Sequence, residues 1–298
     1  MDNKRLNILP VPTFGWLGVN DAVREIAVLP DVESITVECR QTEPVRIDLS
    51  DNKEYEINVC ANEGESLTVI EYNTADSSSV STKIKAKSGS RVKLIQVIAA
   101  AGQTVNNVSA EVLDNASFEY VLLTLSGADT LCEIKADLAG RGAGFDANIG
   151  YKVSNEDKLD INLLASHKGK KTVSNIAVSG VLSNKADKTF KGTIDFLNGA
   201  VGAVGAEKEE VLLLDESVIN KTVPLILCAE EDVEGSHGAS IGRIDEKQVF
   251  YMQSRGLDEQ RIYELMANAK IIRLLKYIDD EQTLLRINNA LDGGNNDE

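Results

Sequence analysis

Histidine is scarce in this chain of 298 residues: only His167 and His237 are present, which excludes a catalytic centre built on several imidazoles. The four cysteines, Cys39, Cys60, Cys132 and Cys228, lie far apart. No CxxC or CxxxC pair prearranges thiolates around zinc or a cluster, so they read as reduced, mostly buried thiols of a cytosolic protein. Positive charge is also short. Lys and Arg total 31 against 47 Asp and Glu, a formal charge of -16, which argues against nucleic acid as the main partner and leaves a basic protein or a metal ion. No apolar run reaches the roughly 18 residues of a membrane span, and Met1 to Pro10 has neither a basic nor an apolar leader region, so a cytoplasmic location off the membrane is expected. The phosphate-loop pattern GxxxxGK[ST] is missing too: Gly199 to Gly205 has glycines but no lysine, and no ATP is expected on this chain.

What is present suffices for a sizeable core, with 43% hydrophobic and 26% charged residues. Residues 1–32 read as an irregular arm leading into a small helix or strand, with a short amphipathic stretch from Asp21 to Ala27. Residues 33–244 alternate with period two, as in Ser34 to Glu38, Val45 to Leu49, Tyr55 to Val59, Leu67 to Glu71, Lys83 to Lys87, Val92 to Val97, Val108 to Val112, Ser117 to Val121 and Cys132 to Ala136. Alternation puts every second side chain on one face, the mark of strands. Gly and Asn punctuate them, as in Ser88 to Ser90 and Leu138 to Gly144. So many strands without intervening helical pattern exclude an alternating α/β sheet and leave a sandwich, a barrel or a coil of stacked strands. Recurrence of equivalent features roughly every 20 to 25 residues leans toward the solenoid.

From 245 to 298 the period changes to 3.6. Asp245 with Gln248 three residues later forms a capping box for a helix to about Ser254, and Gly256 suits the position after its end. Asp258 caps a second helix whose residues Ile262, Leu265, Met266, Ala269, Ile272 and Leu275 form a stripe. A third helix follows Asp279 and Asp280 and carries Leu284, Leu285, Ile287 and Leu291; Gly293 to Glu298 reads as a frayed tail.

The stretch most suggestive of chemistry joins these regions. An apolar strand, Leu225-Ile-Leu-Cys228, runs into Glu230, Glu231 and Asp232 and then into a small-residue loop presenting His237 between Gly235, Ser236, Gly238 and Ala239. Small neighbours leave the imidazole accessible, and the nearby carboxylates could orient it. By itself Cys228 reads first as a buried small hydrophobe and second as a ligand. The acids read first as a solvated turn and second as hard iron ligands. His167, beside Lys168 and Gly169, reads as a structural hydrogen-bonding residue, and Arg255 as a side chain able to reach the last carbonyls of its helix.

The stretch Pro224 to Gly256, with Ser236-His-Gly-Ala239, Gly242, Asp245, Phe250-Tyr251 and Ser254-Arg-Gly256, closely resembles the signature of the SufB/SufD family of iron-sulfur assembly scaffolds, and specifically its SufD branch. Weaker similarity extends back to His167, Thr172, Ser174 and Phe190 to Ile194. The resemblance implies a mainly β fold, a right-handed parallel β-helix with a C-terminal helical segment. It also implies a non-enzymatic scaffold that builds and transfers nascent clusters. Implied partners are a SufC-type ATPase docking on the helices and a SufB-type subunit or a second copy, with a sulfur-donor system acting indirectly. Arg255, Ile262, Leu265, Met266, Ala269 and Ile272 are the candidate partner-binding residues, and the helical stripe is expected to be packed on the core, part of the docking face, or both. The implied ligand of a transient cluster or iron at the subunit interface is His237, with Cys228 as a second candidate.

Two departures qualify that pattern. Gly235 stands where many SufD relatives carry cysteine, and Glu207 to Asp215 holds none of the sulfur-accepting cysteine of the SufB branch, so a thiolate must come from a partner or from Cys228. The family's long helical N-terminal region has little counterpart, which implies a short form. The alternative on the same fold is a carbohydrate-active β-helix lyase or hydrolase, which would gather carboxylates on one face; the acids here are scattered.

Overall fold

A computed structural model describes residues 2–13, 15–38 and 43–292; Cys39 and the tail Gly293 to Glu298 lie outside them. The alternating segments form two families of parallel strands. One eight-stranded sheet, called the first here, contains β3 (Val32–Glu38), β5 (Glu54–Ala61), β7 (Ser78–Ala86), β9 (Gln103–Val112), β11 (Asp129–Leu138), β13 (Lys158–His167), β15 (Asp187–Phe196) and β17 (Ile219–Cys228), in that order across the sheet. The second contains β4 (Val45–Leu49), β6 (Ser66–Asn73), β8 (Arg91–Ala99), β10 (Ser117–Ser126), β12 (Gly144–Val153), β14 (Val173–Leu182), β16 (Ala203–Leu213) and β18 (Val233–Arg243). The chain crosses from one sheet to the other after each strand, giving a parallel β-solenoid of about seven turns. This is the solenoid leaning of the strand pattern, and it removes the sandwich and the barrel.

Each strand turns one set of side chains into the narrow interior, where in-register residues of successive coils stack. Leu94, Tyr120, Ala147 and Ile176 make one such column, and Phe118 lies on Phe145 with ring centroids 5.4 Å apart. Two successive corners with a left-handed backbone begin with asparagine. Asn155 and Glu156, then Asn184 and Lys185 one coil later, have φ of 59°, 67°, 50° and 63°, and Lys185 Nζ reaches Glu156 at 2.7 Å. Asparagine tolerates that conformation better than most residues with a side chain.

The outer faces of the two sheets are covered differently. Over the first lies the arm: β1 (Asp2–Leu6) and β2 (Ala22–Ile26) pair antiparallel, with a 3-10 turn at Gly15–Leu17 between them. The amphipathic stretch after Asp21 is thus a strand. Ala22 and Ile26 pack on Val105 and Leu131, while Leu9 and Val19 pack on Val223. Between these contacts Asn7 Nδ2 donates to Asp160 Oδ1 at 2.7 Å, and fully buried Lys191 reaches Asp160 at 2.8 Å and the Asn7 carbonyl at 3.0 Å.

Over the second sheet lie α1 (Glu246–Ser254), α2 (Glu259–Leu275) and α3 (Glu281–Asp292). Their starts are set as the sequence suggests: Asp245 accepts from Lys247 N, Asp258 from Arg261 N, and Asp280 from Thr283 N. Gly256 follows α1 with φ +91°. The helices run back along the solenoid. Ala267 packs on Val181 and Leu212, Ile271 and Leu274 join the cluster of Val121 and Leu123, and Ile278 and Ile287 join that of Ile70 and Ile95. Burying each of these isoleucines and leucines stabilises by about 1.5–3 kcal/mol. At the far end Asp280 pairs with Arg46, which holds its carboxyl down at about 2, and Arg286 lies over the Tyr72 ring at 3.7 Å. No helix of the described residues is long and apolar enough to cross a membrane.

Candidate site at the open end of the solenoid

The last coil has no successor, so β17 and β18 are both edge strands at the same end. The inner faces that the middle coils bury are uncovered here: all of β18 after Val233 is exposed, and β17 is mostly half-buried. Pro224, which has no N–H to give, sits in β17, where a missing donor on the outer side costs nothing.

Register decides which side chains turn inward. His237 pairs with Glu207, a buried residue of β16, and Cys228 pairs with buried Phe196 of β15, so both turn toward the interior axis. His237 makes no hydrogen bond or ion pair among the described residues. Glu230 is spent on the backbone of its own turn, its Oε2 accepting from Gly199 N at 3.0 Å and its Oε1 from Glu231 N at 2.9 Å; these bonds hold its carboxyl below the usual range. The acidic turn therefore does not orient the imidazole through Glu230.

Cys228 is exposed, which corrects the expectation of a buried thiol: its strand is apolar, but nothing stacks above it. Its Sγ donates to the Glu230 carbonyl at 3.0 Å. The structure does not bring it to His237. A Cβ on Gly235 would meet Ile226 at 3.2 Å, and the facing strands run in opposite senses. His237 consequently lies toward Pro224 and Cys228 toward Val233, four residues along the strand or roughly 13 Å. Cys132 is buried, with a thiol pushed up to about 12 by burial, and is inert; Cys60 is half-buried. Among the described residues no three or more His, Cys, Asp or Glu converge as a metal site.

His167 is structural, as its sequence setting suggests. It is fully buried, with Nδ1 2.8 Å from Thr172 Oγ1 and Nε2 2.8 Å from Ser174 Oγ, and burial lowers it to about 4. Its ring packs on Phe196 at 4.7 Å, directly beneath Cys228 in the stack.

Below the open end lies a polar cluster that sequence reasoning missed. Lys188 and Glu209, both fully buried, form an ion pair; Glu209 also accepts from Tyr151 at 3.1 Å and Thr222 at 2.6 Å, and Lys188 donates to Asn220 at 2.9 Å. Gly180 makes room for the Tyr151 ring, which a Cβ there would meet at 1.9 Å. Glu207 stands apart from this pair. Its Oε2 is buried without a hydrogen-bond partner, and burial first, then the nearby Glu209 charge, raise its carboxyl to about 7. The signal was the Glu207, Glu209 spacing of two in a strand, which puts both on one face, but which face required the register.

On the helical layer the stripe of α2 is split. Ile262 is buried and Met266 is half-buried beside Ala267, whereas Leu265, Ala269 and Ile272 face solvent. Phe250 and Tyr251 of α1 are 72% and 58% exposed, and the Arg255 guanidinium lies 5.2 Å from the Tyr251 ring.

Comparison with known families decides what this architecture is. Residues 51–270 match the model of the SufBD core domain of the SUF system for FeS cluster assembly. The chain belongs to the SufB/SufD family. Among curated relatives, SufD of Bacillus subtilis is 28% identical over 152 residues, 51% of this chain and 35% of that protein. SufD of Escherichia coli is 33% identical over 118 residues, 38% of this chain and 28% of that protein. A SufBD family protein of Staphylococcus epidermidis is 25% identical over 217 residues, 70% of this chain and 46% of that protein. The chain thus matches less than half the length of these SufB/SufD relatives. Membership in an iron-sulfur assembly family supplants the carbohydrate-active reading.

Proposed function

We propose that this chain is a cytoplasmic, SufD-like scaffold subunit that pairs through its open solenoid end with a SufB-type subunit or a second copy. A SufC-type ATPase docks on its helical layer, and the chain itself binds no ATP and has no complete active site. The observation that carries this reading is the pair of uncovered edge strands, β17 and β18, with an unpartnered, inward-turned imidazole between them. An exposed sheet edge is a ready template for another chain. His237 then serves a transient iron or cluster cargo at the junction, and the pairing subunit supplies thiolate; Cys228, on the facing strand and roughly 13 Å along it, is too far to share one ion with His237.

The docking face comprises Phe250, Tyr251, Arg255, Leu265, Ala269 and Ile272, supported from inside by Ile262 and Met266. Apolar side chains on paired helices, rimmed by charge, suit a protein partner. Deleting 257–298 would also strip the second sheet of its cover, so surface substitutions are the cleaner test. Phe250→Ala combined with Ile272→Ala is expected to abolish capture of a SufC-type ATPase in a pull-down while pairing with a SufB-type subunit persists. Undiminished ATPase capture by that variant would remove the docking assignment.

A further inference from the structure

Glu207 is the one interior carboxylate at this end that the ion pair does not use. Lys188 is occupied by Glu209, Asn220, Thr222 and the Lys221 carbonyl. Glu207 is 4% exposed, and its Oε2 has no partner. Space is kept for the group. A Cβ on Gly192, in the facing strand, would fall 2.1 Å from Oε2 and 2.5 Å from Cδ, so the carboxylate fills the position where any other residue would carry its side chain. Directly above it in register is His237, on a strand that nothing covers.

We propose that Glu207 and His237 form a half-site for a divalent transition-metal ion, and that the ion is ferrous iron, a choice of metal that rests on the scaffold reading above. In-register neighbours of a sheet stand about 4.8 Å apart, so one carboxylate oxygen and one imidazole nitrogen on the same face meet at a single ion. An oxygen and an imidazole nitrogen suit iron and its neighbours better than magnesium or calcium, which prefer oxygen alone, or cuprous copper, which prefers sulfur. The ion enters from the open end. Binding forms one metal–oxygen and one metal–nitrogen bond in place of two metal–water bonds, transfers no electron, and releases to water the proton that a protonated Glu207 carboxyl gives up to the metal. Remaining positions stay open to sulfide or to thiolates of a pairing subunit.

The test is anaerobic equilibrium dialysis of the full chain with Fe2+ alone, with Co2+ absorption as a second readout. Wild type is expected to take up a single saturable ion. Glu207→Gln and His237→Ala should each weaken binding by more than about tenfold, the lower range for losing even a supporting group of a metal site. Gly192→Ala, which keeps both ligands but crowds the carboxylate, should weaken it as well, and Glu234→Gln, an exposed acid on the same strand, should not. Absence of saturable iron on wild type, or wild-type affinity in Glu207→Gln or in Gly192→Ala, overturns the half-site. Partner capture is read in parallel. Failed capture with iron binding intact sinks the scaffold reading alone, and normal capture with Glu207→Gln affinity unchanged sinks the half-site alone.

Discussion

Two polar clusters lie in the same narrow interior, and they handle a buried carboxylate in opposite ways. Toward the first coils, Glu71 meets only neutral donors: Gln96 Nε2 at 2.6 Å and Thr82 Oγ1 at 2.9 Å, with Asn106 and Tyr120 completing the network on Gln96. Burial raises it to about 7, so near neutral pH it holds a proton for much of the time. Toward the last coils, Glu209 has Lys188. The same residue type is thus an acid in one place and half of an ion pair in the other, and the neighbours one coil away decide which. Only the ionic cluster adjoins the open end, where a further carboxyl, Glu207, has an oxygen without a hydrogen-bond partner.

The comparison breaks most visibly at the ion pair. Lys188→Met removes the counter-charge of buried Glu209, leaving it only its hydroxyl donors Tyr151 and Thr222, and should cost about 3–5 kcal/mol in denaturant unfolding; a loss below about 1 kcal/mol would mean that the pair is not ionic. Next is the pH dependence of the neutral cluster. Glu71 binds its proton up to about 7 when folded and to 4.5 when unfolded. The unfolded chain releases that proton first, so stability falls as pH rises from about 4.5 through 7, by on the order of 3 kcal/mol. Glu71→Gln should flatten that fall relative to wild type, and parallel curves for the two from pH 4 to 8 would refute the assignment.

A smaller effect sharpens the same contrast. Tyr120→Phe deletes a donor to Gln96 Oε1 that Asn106 continues to satisfy, so thermal unfolding should show a loss of only about 1 kcal/mol. The smallest is at the surface. His237→Ala, which removes an exposed side chain with no partner, should change stability by less than about 0.5 kcal/mol, so any loss of iron uptake by that variant cannot be blamed on unfolding.

The fold was largely legible because alternation and capping are local. Ser34 to Glu38 and Val92 to Val97 announce strands by parity alone, and Asp245, Asp258 and Gly256 bracket their helices from within a few residues. The site was legible only in part. The motif around His237 singled out the imidazole, but its relation to Glu207 depends on register between strands thirty residues apart, and parity cannot say which face is inside. The same non-local information decided Cys228, whose apolar strand suggests burial until it proves to be an edge. It also decided α2, where Ile262 turns to the protein and Leu265, three residues on, turns to solvent.

The course of α2 and α3 has a mechanical outcome. A stack of coils that touch only their neighbours would fray from either end, one repeat at a time. Here the segment leaving the final coil returns across the second sheet and fastens to β4 through Asp280 to Arg46 and Arg286 to Asp48. First and last repeats are linked by this strut, so the rod should unzip in one step, and a pull applied to the helical layer by a docked protein would be felt along the whole of its length.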